Sequence, residues 1–71
     1  MARTSLRVGV VTAFDDPEGL GEVTDEAGST FAFHCTAIAD GSRTIQVGTT
    51  VRFVVVAGHV GLFEAAGLVP A

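Results

Sequence analysis

Apolar positions along this chain recur every second residue in short runs separated by turn residues, a pattern that predicts strands. Leu6 to Phe14 is the first run. It contains Val8, Val10 and Val11, so its alternation slips, and the slip predicts a bulge or bend. Asp15-Asp16-Pro17-Glu18-Gly19 reads as a turn. Leu20 to Asp25 follows as a second strand, with Leu20 and Glu22 on one face and Gly21 and Val23 on the other. Glu26-Ala27-Gly28-Ser29 closes a hairpin onto Thr30 to Cys35. In that third run Phe31 and Phe33 share the side expected to be buried, and Ala32 and His34 mark the opposite side.

Thr36-Ala37-Ile38 is too short for an α-helix and fits a single 3₁₀ turn. A longer connection runs from Asp40 to Gly48. Thr49 to Ala57 is the most strand-like run, with Val51, Phe53 and Val55 on one face and Arg52, Val54 and Val56 on the other. Gly58 to Gly61 reads as a turn. Leu62 to Val69 is assigned as a strand rather than a short helix, because four preceding strands need a closing partner. Five short strands with a long third connection predict an all-β fold: a small antiparallel Greek-key barrel of the OB type, with an SH3-like barrel as the alternative from pattern alone.

Length sharpens this picture. The chain has 71 residues, the size of one small domain covering residues 1–71 and close to the lower limit for a self-sufficient core. The apolar fraction of 48% excludes disorder by composition. The net charge of −4 disfavours a nucleic acid, a membrane surface or an acidic partner, and all four cations are arginines. A lone cysteine, Cys35, has no internal partner, and no apolar run resembles a signal peptide or a bilayer span. These features predict a soluble protein of the cytoplasm that does not engage a membrane.

The chain also carries spaced motifs in a recognisable order. Gly9 to Val23 reads GVVTAFDDPEGLGEV, and Phe31 to Ile38 reads FAFHCTAI. Arg43-Thr44-Ile45 is followed by Gly48, and Val51 to Gly61 forms the next block. Together these resemble a bacterial cold-shock domain over nearly the whole length. The first block is similar to the family's opening strand, turn and first nucleic-acid motif, which usually reads K-G-F-G-F. The second resembles its V-F-V-H-F followed by S-A-I, and the third its R-T-L and glycine.

That resemblance implies a five-stranded OB barrel that binds single-stranded RNA or DNA by stacking bases on aromatic rings, aided by basic residues. The departures are large. Ala13 stands at the family's tryptophan, Glu18 at its lysine, and Leu20 and Glu22 at the two phenylalanines of the first motif. Ala32 and Cys35 replace rings of the second motif, and Ser42 replaces one in the loop. Phe14 and His34 remain as ring-bearing positions, so Phe14, Leu20, His34 and Arg43 are the candidate nucleic-acid contacts. Asp15, Asp16, Glu18, Glu22, Asp25 and Glu26 crowd the first hairpin, where a phosphate backbone would run, and little counterion release is expected. Binding is therefore expected to be weak. Arg7, Arg43 and Arg52 are the residues available for a smaller positive patch.

No cofactor, metal or enzymatic chemistry is expected. No Ser, Asp or second His stands at a spacing that would activate Cys35. His34, Cys35 and His59 lack a fourth soft ligand, and strand neighbours point to opposite faces. The alternative to nucleic-acid binding is protein contact. Val54, Val56, Leu62 and Phe63 are candidates to leave apolar side chains outside so small a barrel, where they would build a homodimer or another protein interface.

Overall fold

The computed structural model describes residues 6–57 and 63–71. The turn expected at residues 58–61, with His59, and the candidate interface residue Leu62 lie outside the described residues. The strands are β1 (Leu6–Asp15), β2 (Leu20–Asp25), β3 (Thr30–His34), β4 (Thr50–Ala57) and β5 (Phe63–Pro70). A 3₁₀ turn, Cys35–Ala37, follows β3, one residue earlier than the sequence pattern suggests. The strands close into a barrel in the order β1-β2-β3-β5-β4, which is the OB arrangement and not the SH3-like one. All neighbours are antiparallel except β3 and β5, which meet in parallel at Ala32 and Glu64. Among the described residues, no helix is long and apolar enough to cross a membrane.

Closure depends on β1 serving two partners. Its first half pairs with β4 from Leu6 to Val10, and its second half pairs with β2 from Gly9 to Asp15. The expected slip is present: Val11 pairs with Val23 and Ala13 with Glu22, leaving Thr12 as the extra residue. The backbone groups of Val11 find partners in the long connection. The Gly48 amide donates to the Val11 carbonyl at 2.8 Å, and the Val11 amide donates to the Thr49 carbonyl at 2.9 Å.

A second bulge shapes β5. Arg52 pairs with Val69 and Val54 with Ala66, so Gly67 and Leu68 together oppose Phe53. Gly67 takes a positive φ of 63°, which a side chain would resist. The bulge keeps Leu68 turned inward, fully buried, and lets its carbonyl accept from the Ala39 amide at 2.9 Å. The core is Val11, Val23, Phe33, Ile38, Val51, Phe53, Ala65 and Leu68. Phe31 is half-buried against it, its ring tilted on Phe53 at 5.9 Å. The period-two reading of β3 therefore stands, with Phe31 and Phe33 inward and Ala32 and His34 exposed.

Candidate functional site

The outer face of β1, β2 and β3 is a grid fixed by register. Ala13, Glu22 and Ala32 lie in one row, and Asp15, Leu20 and His34 in the next. Above them Thr24 sits between Val10 and Thr30. There the hydroxyls of Thr12, Thr24 and Thr30 form a chain at 3.3 and 3.1 Å, and Thr12 also donates to the Glu22 carbonyl at 3.3 Å. Leu20 is 50% exposed and stands directly beside His34.

Phe14 is not on this grid. The extra residue Thr12 shifts the parity of β1, so Phe14 pairs with Gly21, which pairs with Phe33 on the inward side. The Phe14 ring is half-buried and stacks on Phe33, with centroids 6.0 Å apart and planes 18° from parallel. Gly21 makes that stack fit: a Cβ there would lie 2.6 Å from Phe33 Cζ and 2.9 Å from Phe14 Cδ1. Phe14, Leu20, Ala32 and Phe33 still line one open depression of about 450 Å³, with Asp15 and Glu22 at its rim. Among the described residues, His34 is the single ring on the outer grid itself.

His34 caps the 3₁₀ turn. Its Nδ1 accepts from the Thr36 amide at 3.2 Å and lies 3.0 Å from Thr36 Oγ1. With Nδ1 occupied as an acceptor, the neutral ring carries its proton on Nε2, the nitrogen nearer Gly19. Cys35 Sγ is 3.8 Å from the same Nδ1, half-buried, and packed where a Gly19 Cβ would stand. A second depression, of about 330 Å³, joins His34 and Cys35 to Arg43 and Thr44, with Asp16 and Glu18 on its other wall. The structure thus brings Leu20, His34 and Arg43 to neighbouring surface, with the half-buried Phe14 in the adjoining depression beside Leu20. Among the described residues no group of three or more His, Cys, Asp or Glu side chains could hold a metal.

The charges are arranged differently from the sequence expectation in two places. Asp25 does not add to the acidic face: its side chain is 4% exposed. Its Oδ2 receives Arg7 Nη1 at 2.7 Å, and its Oδ1 accepts the Ala27 and Ser29 amides at 3.0 and 2.9 Å. The Ser29 amide, and then Arg7 and the Ala27 amide, hold this carboxyl below the usual carboxylate range against the opposing effect of burial. Arg7 is correspondingly unavailable as part of a positive patch. It bridges to Asp25 and lies over the Phe31 ring, 5.6 Å from its centroid. Arg52 projects from β4 on another side of the barrel, so Arg43 stands without the other two described arginines. Asp15, Asp16, Glu18 and Glu22 remain exposed on or around the grid. The Asp25-x-x-Gly28-Ser29 spacing, an aspartate whose carboxylate closes its own hairpin turn, was the available sequence signal for Asp25.

The candidate interface residues divide. Val56 is 40% exposed and Val54 half-buried, both on the outer side of β4. Phe63 is 63% exposed but pairs with Ala57, one step out of phase with the Val56–Glu64 pair. The ladder therefore puts Phe63 out of phase with the face shared by Val54 and Val56.

No protein-family model matches the chain. Two curated proteins do. The cold shock-like protein CspA of Stigmatella aurantiaca is 37% identical over 59 residues, covering 80% of this chain and 87% of that protein. The major cold shock protein CspA of Pseudomonas aeruginosa is 40% identical over 55 residues, covering 76% of this chain and 80% of its own length. With a barrel closed in the OB order and relatives matched over most of both lengths, the chain belongs to the bacterial cold-shock domain protein family, as a divergent member.

Proposed function

We propose that this protein is a cytoplasmic binding module, one domain spanning residues 1–71, that holds single-stranded RNA or DNA weakly on the outer face of β1, β2 and β3. The observation that carries this reading is the contiguity of Leu20, His34 and Arg43 on that face of a cold-shock barrel. His34 offers a ring for stacking and an Nε2–H donor for a base edge, Leu20 offers apolar contact beside it, and Arg43 is the nearby cation for a phosphate. Phe14 and Phe33 supply the floor of the adjoining depression rather than a free ring.

Weakness follows from magnitudes. Base–aromatic stacking contributes about 1–3 kcal/mol per base. The expected ring positions hold Ala13, Leu20, Glu22, Ala32 and Cys35. Losing several such contacts removes on the order of 5 kcal/mol, more than a thousandfold in affinity. One arginine facing four exposed carboxylates adds little counterion release. The test is an anisotropy titration with mixed-sequence single-stranded oligonucleotides at low salt, paired with an amide-shift titration. Low-affinity binding that disappears as salt rises, with shifts at Leu20, His34 and Arg43, is the expected result. Tight binding that survives high salt rejects the weak reading, and shifts confined to other strands reject the site.

A further inference from the structure

We propose that the outer face of β1, β4 and β5 docks on a second copy of this chain, through an apolar grid with one cation at one end and one anion at the other. This face is separate from the nucleic-acid grid, so either reading can fail without the other. Register fixes its layout. Val8, Arg52 and Val69 lie side by side, Leu6, Val54 and Ala66 form the next row, and Val56 with Glu64 forms the third. Leu6 is 67% exposed, and Val8, Val56 and Val69 are 36%, 40% and 39% exposed. The pairing puts these aliphatic side chains on one contiguous outer surface.

The charges say what covers it. Among the described residues, neither Arg52 nor Glu64 has an ion-pair partner. Arg52 and the Val56–Glu64 row are separated by four residues of β4, about 13 Å of strand. A two-fold axis lying along the middle row, perpendicular to the strands, lays Arg52 of one copy over the Val56–Glu64 row of the other, and the reverse contact follows by symmetry. Leu6, Val54 and Ala66 then meet their own counterparts. The face is complementary to itself, whereas an acidic partner would be repelled by Glu64 and a basic one by Arg52. Its flat extent is roughly 15 by 20 Å, well under the about 800 Å² per partner of a standard interface. The dimer is therefore weak, half-formed at roughly 0.1–1 mM.

Sedimentation equilibrium and amide shifts, followed from roughly 10 µM to about 1 mM, test this on the intact chain. Concentration-dependent shifts should map to Val8, Arg52, Val56 and Val69. Arg52→Glu should raise the dissociation constant about tenfold or more, because each altered contact occurs twice. Glu64→Arg should do the same, and the double exchange Arg52→Glu with Glu64→Arg should restore association. Circular dichroism checks that each variant keeps its fold. A protein that stays monomeric at about 1 mM overturns the proposal. So does a dimer indifferent to Arg52→Glu, or single variants that weaken association without recovery in the double exchange.

Discussion

Arg7 Nη1 lies 2.7 Å from Asp25 Oδ2, and the same carboxylate closes the β2–β3 turn through the amides of Ala27 and Ser29. One nearly buried side chain thus joins the first strand to the tip of the second hairpin. Asp25→Ala leaves both amides without their acceptor and strands a half-buried guanidinium whose Nε already lacks a partner. The melting temperature should fall by at least about 5 °C, given that small domains shift by several degrees for a single lost interaction of this kind. A thermal melt followed by circular dichroism measures it.

The same site sets a pH dependence. Both Asp25 and Asp40 are held below the ordinary carboxylate value of 3.8, Asp25 chiefly by the Ser29 amide and Asp40 chiefly by the Ser42 amide. A depressed native value means the unfolded chain takes up protons first as pH falls. The stabilisation is therefore complete above about pH 4–5 and is lost progressively as pH drops through the native value. Asp25→Asn keeps an acceptor for the turn amides but removes the charge. It should be less stable than the parent at neutral pH and converge on it as pH falls through the depressed native value of Asp25. Denaturant titrations across that range check the convergence, and a constant gap at all pH values would contradict it.

Gly21 is the residue that lets Phe14 lie on Phe33. A methyl group there meets the Phe33 ring at 2.6 Å, the Ala13 carbonyl at 2.8 Å and the Phe14 ring at 2.9 Å. Gly21→Ala should destabilise the barrel by about 1–3 kcal/mol, the usual cost of forcing an extra methyl into a packed site. The Phe14 ring, as the more exposed partner, should be the one that moves. Chemical denaturation gives the energy, and ring-current shifts of Phe14 report the movement.

What the sequence made legible was local. Alternation within β3 and β4 is a property of neighbouring residues, so the inward Phe33 and Phe53 and the outward Ala32, His34 and Arg52 could be read directly. Anything that depended on register was hidden. Thr12 reverses the parity of everything after it in β1, which is why Phe14 left the outer grid. Phe63 was separated from Val56 by a one-residue phase in the β4–β5 ladder. Asp25 looked like one more surface carboxylate, because its partner Arg7 is 18 residues away and meets it only in the closed barrel. The apolar face of Leu6, Val8 and Val69 is assembled from two strands at opposite ends of the chain, and no window of sequence contains it.

The outer grid should be repairable one ring at a time. Leu20 is half exposed and lies directly opposite His34, so Leu20→Phe places a second ring next to the existing one without entering the core. A stacked base contributes about 1–3 kcal/mol, so affinity for a short single-stranded oligonucleotide should rise about tenfold, within a range of roughly five- to a hundredfold. Glu22→Lys, one row away, acts through charge rather than stacking. It replaces a repelled phosphate contact by an attractive one and should steepen the salt dependence of binding by about 0.7 in log–log slope. The two changes differ in what salt does to them. The gain from Leu20→Phe should persist as ionic strength rises, while the gain from Glu22→Lys should fade. Anisotropy titrations of the parent, both single variants and the double variant at several salt concentrations separate the two effects. If neither substitution changes affinity, the strands that carry Leu20 and Glu22 are not where the nucleic acid lies.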